Sequence, residues 1–114
     1  MRIIFSGSRR WDNRKVVKRV IKSLPKNSVV VHGAAPGLDS IAHSLALKYG
    51  LALEVHHAEW GRWGRAAGPK RNQQMIDAGA DTVYAFPVSE SKGTWDLVNK
   101  ARSAGIPVNI IPAK

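Results

Sequence analysis

A three-layer α/β domain, with a mostly parallel five-stranded sheet and helices on both faces, is the fold class this sequence predicts. Three observations carry it. Short β-rich runs alternate with helical patterns along the whole chain. The run "VVVH" (29–32) is apolar at successive positions rather than alternating, as a strand buried on both faces of a parallel sheet is. The 114 residues suffice for one core and not for two, so 1–114 reads as a single domain.

The elements follow in order. "RIIFS" is the first strand, and in "NRKVVKRVIKSL" Val16, Val17, Val20, Ile21 and Leu24 share one helical face. Asp12 or Asn13 is placed to cap that helix, and Pro25 lies just beyond it. "SVVVH" precedes a helix whose stripe is Leu38, Ile41, Ala42, Leu45 and Tyr49, closed by Gly50. "LALEVHH" is the third strand. The loop "AEWGRWGRAAG" then leads to a helix opened by Pro69 in its first turn and closed near Gly79. "DTVYAF" is the fourth strand, "PVSESKG" a loop, "TWDLVNKARSA" a helix ended by Gly105, and "IPVNII" the fifth strand.

Composition narrows the function classes. A 44% hydrophobic and 23% charged chain is ordinary globular protein rather than a disordered one. The absence of cysteine excludes disulfides, thiol catalysis and Cys-ligated metals. No apolar run approaches a membrane span, and "MRIIFSGSRR" lacks the apolar region and cleavage site of a signal peptide, so a cytoplasmic protein without a membrane partner is expected. Eighteen Lys and Arg against eight Asp and Glu give a net charge of +10, a field that attracts nucleotides and nucleic acids and also keeps a small protein soluble.

Right-handed crossovers put every strand-to-helix loop on one edge, where ligands of such sheets bind. Each of those segments carries glycine, which lets a phosphate approach the backbone, and helix N-termini favour anions. "GAAPG" (33–37) is therefore read as a loop that contacts a phosphate or carboxylate through its backbone, or else as a simple tight turn. Neither GxGxxG nor the P-loop pattern is present. Arg9, Arg10, Arg62, Arg65, Lys70 and Arg71 share this edge. A cation at a helix start opposes the dipole unless an anion is shared with it, which singles out Arg71. Trp60 and Trp63 suit base stacking, whereas Trp95 is expected to pack into the core against a helix end. Asp39 and Asp96 occupy first turns, as partners of the helix dipole or as acceptors for ribose hydroxyls. The histidines show no HxH or HExxH spacing, so no metal is assigned, and no cofactor. Arg14, Lys15, Lys18, Arg19 and Lys22 form a basic stripe on the first helix, either a solvated face or a phosphate-backbone contact.

"GSR" after the first strand, "GAAPGLDSIAHSLALKYG", "AEWGRWGRAAGPKRNQQM" and "GTWD" together resemble the SLOG superfamily. This Rossmann-like group takes in DNA-processing protein A (Smf) and the cytokinin-activating LOG enzymes, and the YspA-type, YpsA-related branch resembles the chain most. The resemblance implies a site for a nucleotide or nucleotide-derived ligand. It carries over to Gly7, Ser8, Arg9, Gly33, Gly37, Asp39, Arg71, Asn72, Gly93 and Thr94, beside which the loop and edge place Ala34, Trp60 and Lys70. It also implies a homodimer. The alternatives it brings are single-stranded nucleic-acid binding, as in the DNA-processing branch, and LOG-like hydrolysis of a nucleotide glycosidic bond. For hydrolysis Arg71 takes the arginine's place, but Leu97 stands where the glutamate is expected and Asp96 is only its neighbour.

Overall fold

The computed structural model describes residues 1–113. Five strands form one sheet in the order β3-β2-β1-β4-β5, every pairing parallel. They are β1 (Arg2–Gly7), β2 (Val29–His32), β3 (Ala52–Val55), β4 (Thr82–Phe86) and β5 (Val108–Ile110). The helices are α1 (Arg14–Ser23), α2 (Leu38–Lys48), the single turn α3 (Trp60–Trp63), α4 (Ala67–Asp77) and α5 (Lys92–Ser103). A 3-10 turn, Gly64–Ala66, joins α3 to α4. None of these helices is long and apolar enough to cross a membrane.

The three layers follow from the pleat, because successive side chains of a strand point to opposite faces. On β1, Ile3 and Phe5 join Val30, Phe86 and the inward faces of α1 and α2. Ile4 faces the other way and packs with Val31, Val83 and the apolar positions of α4 and α5. Both clusters are closed to solvent, which is why β1 carries almost no polar side chain in its interior.

The expected elements are present, with instructive differences at their ends. Asn13 caps α1, its Oδ1 accepting the Val16 N–H at 3.4 Å. β1 runs on to Gly7, α4 starts at Ala67 rather than at Pro69, and α5 takes in Lys92 and Gly93 from the expected loop. Asp96 therefore falls in the second turn of α5 rather than in the expected first turn. The segment 59–66 forms α3 and the 3-10 turn with no buried residue, so it has no apolar periodicity to read. Trp95 corrects another expectation. The buried stripe of α5 is Thr94, Leu97, Val98 and Ala101, which turns Trp95 outward at 38% exposure. The core tryptophan is instead Trp11, 3% exposed, edge-on to Phe86 at 5.1 Å with its indole N–H donating to the Asn13 carbonyl at 3.1 Å.

Candidate functional site

With β1 central, the chain leaves it toward β2 on one side and returns as β4 on the other. The connections diverge beyond the carboxyl ends of β1 and β4, and an α/β sheet opens a crevice at such a switch point. A groove of about 880 Å³ lies there, walled by Ser6–Arg10, the Val88–Thr94 segment, and the starts of α2 and α4.

Its floor is a set of loops tied by backbone. Ser8 N–H donates to the Phe86 carbonyl at 3.0 Å, and the Ser8 carbonyl accepts from Trp11 N–H at 3.1 Å and Leu38 N–H at 3.2 Å. Its hydroxyl accepts from Arg10 N–H at 3.0 Å. Gly37, at φ +79°, lies so close to the Ser8–Arg9 backbone that a side chain there would run into it.

The Gly33–Ala35 turn is held from behind. Gly33 N–H and Ala35 N–H both donate to Asp39 Oδ2, at 3.0 and 3.2 Å, and Ala34 lies between them at φ +59°. Ala34 N–H donates to His32 Nδ1 at 3.0 Å, so His32 carries its proton on Nε2 and donates it to His43 Nδ1 at 2.9 Å. Three successive amides of the loop are thus satisfied inside the protein. Uncommitted anion-binding amides lie instead at the first turn of α5, which no side chain caps.

Arg71 crosses the groove floor. One guanidinium nitrogen donates to the Gly33 carbonyl, and Nε donates to Asn72 Oδ1 at 2.9 Å. A Cβ at Gly33 would meet the guanidinium and push the end of that side chain aside. Buried Asn72 donates to Asp96 Oδ2 at 2.9 Å and to the Gly93 carbonyl at 3.2 Å, and Lys100 pairs with Asp96 at 2.6 Å. Burial pulls the Arg71 pKa down; the charge of Asp39 partly opposes this, and Arg9 adds repulsion. Among the described residues Arg71 has no carboxylate in ion-pair contact.

Gly7, Ser8, Arg9, Asp39, Trp60, Arg71, Asn72, Gly93, Thr94 and Asp96 all line the groove. Gly33, Ala34 and Gly37 stand behind it as the loops' frame, and Lys70 points away, its Nζ 4.3 Å over the Trp63 ring. Thr94 is buried, its hydroxyl 2.7 Å from that of Ser91. Residues not singled out for the site also line it: Arg10, Arg65, Pro69 and the Val88–Lys92 wall. The two arginines carried a signal in their charge, whereas the wall carried none. His32 carried one too, as the single polar residue of an apolar strand. Among the described residues no three His, Asp or Glu side chains gather as metal ligands would.

Burial drives the two titratable braces in opposite directions. Asp39 is raised to about 6, mainly by desolvation, with the amides of Ala35 and Gly33 and the charge of Arg71 opposing. His32 is lowered to about 4, by burial first and then by the charges of His43, His57, Arg71 and His56. The unfolded chain binds the His32 proton more tightly than the folded one, so acidification from pH 6.5 toward 4 costs stability through His32. Asp39 does the reverse between about 6 and 3.8, since there the folded state holds the extra proton. The two offset each other. Urea unfolding at about pH 7 and about pH 5 is expected to change little through this pair in the wild type, whereas His32→Gln should gain on the order of 1 kcal/mol on acidification.

Comparison with known proteins agrees with this architecture. The solved structure of DNA processing protein A (DprA) from Streptococcus pneumoniae superposes with a TM-score of 0.58 at 18% identity, over 95% of this chain. That similarity is one of fold, and the chain spans 58% of that structure's length. The Gene 61 protein of Mycobacterium phage D29 is 39% identical over 116 aligned positions, covering 94% of this chain and 93% of the relative. The sequence profile of one family matches residues 1–63, from β1 through α3. The chain belongs to the YspA, cpYpsA-related SLOG family.

Proposed function

We propose that this protein is a binding module for a nucleotide or nucleotide-derived phosphate ligand held in the switch-point groove. The observation that carries the reading is Arg71: a half-buried guanidinium, oriented by Gly33 and Asn72, near a second arginine and without a carboxylate partner among the described residues. Two cations kept close in a partly desolvated place are stabilised by a shared anion, and a guanidinium with a fixed plane suits phosphate. The first turn of α5 adds backbone N–H groups and the positive end of its dipole. Trp60, half exposed on the groove rim, offers a ring for the base.

Binding without turnover is the form of the proposal. Leu97, at the position of the LOG glutamate, is fully buried in the core. Asp96 is committed to Lys100 and Asn72.

A tryptophan-fluorescence titration with AMP at moderate salt tests it. A saturable change that disappears in Trp60→Leu supports the reading, and no change up to millimolar AMP overturns it. One observation favours a second reading, single-stranded nucleic acid. Exposed Trp63 lies between Arg62 at 4.7 Å and Lys70 at 4.3 Å, beside Trp60, the arrangement of rings and cations that stacks bases along a strand. This chain's likeness in fold to DNA processing protein A is in keeping with that reading. Oligonucleotide affinity that grows with length and falls steeply with salt, without AMP binding, would establish it instead.

A further inference from the structure

The Gly33–Ala35 turn has the form of an anion nest. The N–H groups of residues 33 and 35 converge on one oxygen, and the residue between them is left-handed. The protein supplies that anion itself, as the Asp39 carboxylate. Only one of its oxygens is used, however. Oδ2 accepts both amides, whereas Oδ1 is buried and has no hydrogen-bond partner among the described residues. On the other side of Gly33, Arg71 donates to the carbonyl of the same residue. The carboxylate and the guanidinium thus hold the two peptide groups of one residue, Gly33. Each feels the other's charge, yet among the described residues no ion pair joins them.

We propose that Asp39 is the proton-linked partner of the groove: an anion settling against Arg71 enters with a proton taken up from solvent on the unpartnered Oδ1. This rests on the phosphate-site reading and adds its regulation. The division of labour between the oxygens makes the step possible. Oδ2 remains the acceptor for both amides, so the turn, the Gly33 carbonyl and the position of Arg71 survive protonation. What changes is charge. With Asp39 ionised, an incoming anion meets a buried negative charge coupled to Arg71; with Asp39 neutral, the cations face the anion alone. The remaining titratable and charged groups around this centre are Arg9 from the β1–α1 loop, Asp96 on α5 acting on Arg71, His32 on β2, His43 on α2, and His56 and His57 just after β3. Asp39 is placed to act near neutrality, its carboxyl being raised to about 6.

The probe is inorganic sulfate, a dianion throughout the useful range, because the second ionisation of a nucleotide phosphate near pH 6 would mask the effect. Carboxyl-carbon NMR of the wild-type protein follows Asp39 directly, and the Arg71 Nε–H resonance reports binding. Saturating sulfate should raise the Asp39 midpoint by about one unit relative to chloride at equal ionic strength, and sulfate should bind about fivefold tighter at about pH 5.5 than at about pH 7.5. Asp39→Asn should bind at the higher pH as the wild type does at the lower. If Arg71 responds to sulfate and the Asp39 midpoint stays put, the proton linkage is wrong and the phosphate site stands. If Arg71 does not respond at any pH, both fail. The wild-type titration decides even where the Asn variant does not fold.

Discussion

Gly37→Ala is expected to cost about 3 kcal/mol of stability and to remove ligand binding with it. Two penalties combine. At φ +79° an L residue is strained, and the added Cβ would run into the carbonyl carbon and oxygen of Arg9 and the oxygen of Ser8. Those are backbone atoms, so relief requires moving the whole β1–α1 loop rather than turning a side chain. That loop is tied by Ser8 to Phe86 and Leu38, so the shift would reach β4 and the start of α2 together. Chemical denaturation should show a lowered midpoint with an unchanged slope. Gly64→Ala is the control: Gly64 is also left-handed, at φ +55°, but a Cβ there meets nothing within 4 Å. Only the strain term remains, of about 1 kcal/mol. Equal losses at the two positions would show that the packing of Gly37 against Ser8 and Arg9 contributes nothing.

Arg71→Ala is expected to weaken AMP by about 2–3 kcal/mol, roughly 30- to 150-fold, the range for losing a charge-assisted hydrogen bond in a partly desolvated place. Arg71→Lys should recover little of this and stay about tenfold or more below the wild type. The guanidinium uses Nε for Asn72 and another nitrogen for the Gly33 carbonyl while still facing the groove, and an ammonium cannot hold that plane. Calorimetric titration of both variants, with melting curves to establish folding, is the measurement. Wild-type affinity in Arg71→Ala would remove Arg71 from the phosphate site.

The two predictions differ in how far the sequence alone supports them. Arg71 was singled out because a cation expected at a helix start calls for an anion. With α4 beginning at Ala67, Arg71 lies in the second turn, and its contacts with Gly33 and Asn72 place it in the groove instead. The sheet was legible because strands covered on both faces are apolar at successive positions, as the three valines of "VVVH" are. The role of Asp39 was not legible. A first-turn acid reads as a dipole partner or a ribose acceptor, and nothing in the pattern says that its side chain folds back onto residues 33 and 35. The same blindness affected "GAAPG", whose glycines signal close approach but not what approaches. At Gly33 it is Arg71, and at Gly37 it is the chain's own first loop. The outward turn of Trp95 and the burial of Trp11 have a plainer cause. Helical register decides which face a ring takes on α5, whereas in the first loop the decision falls to long-range packing on Phe86.

The central place of β1 also sets a timetable. Residues 2–4 have their partners in residues 29–31, but the other edge of the strand, along residues 3–7, waits for residues 82–86. Until then Ile4, fully enclosed in the finished domain, sits on a strand with one open side, the kind of edge that recruits foreign strands. A nascent chain arrested before β4 would therefore expose its central strand. It would also hold Ser8, Arg9, Asp39 and Asn72 without the Gly93 carbonyl and Asp96 carboxylate to which Asn72 donates. The groove comes into being late and all at once, when the second half of the sheet closes on the first.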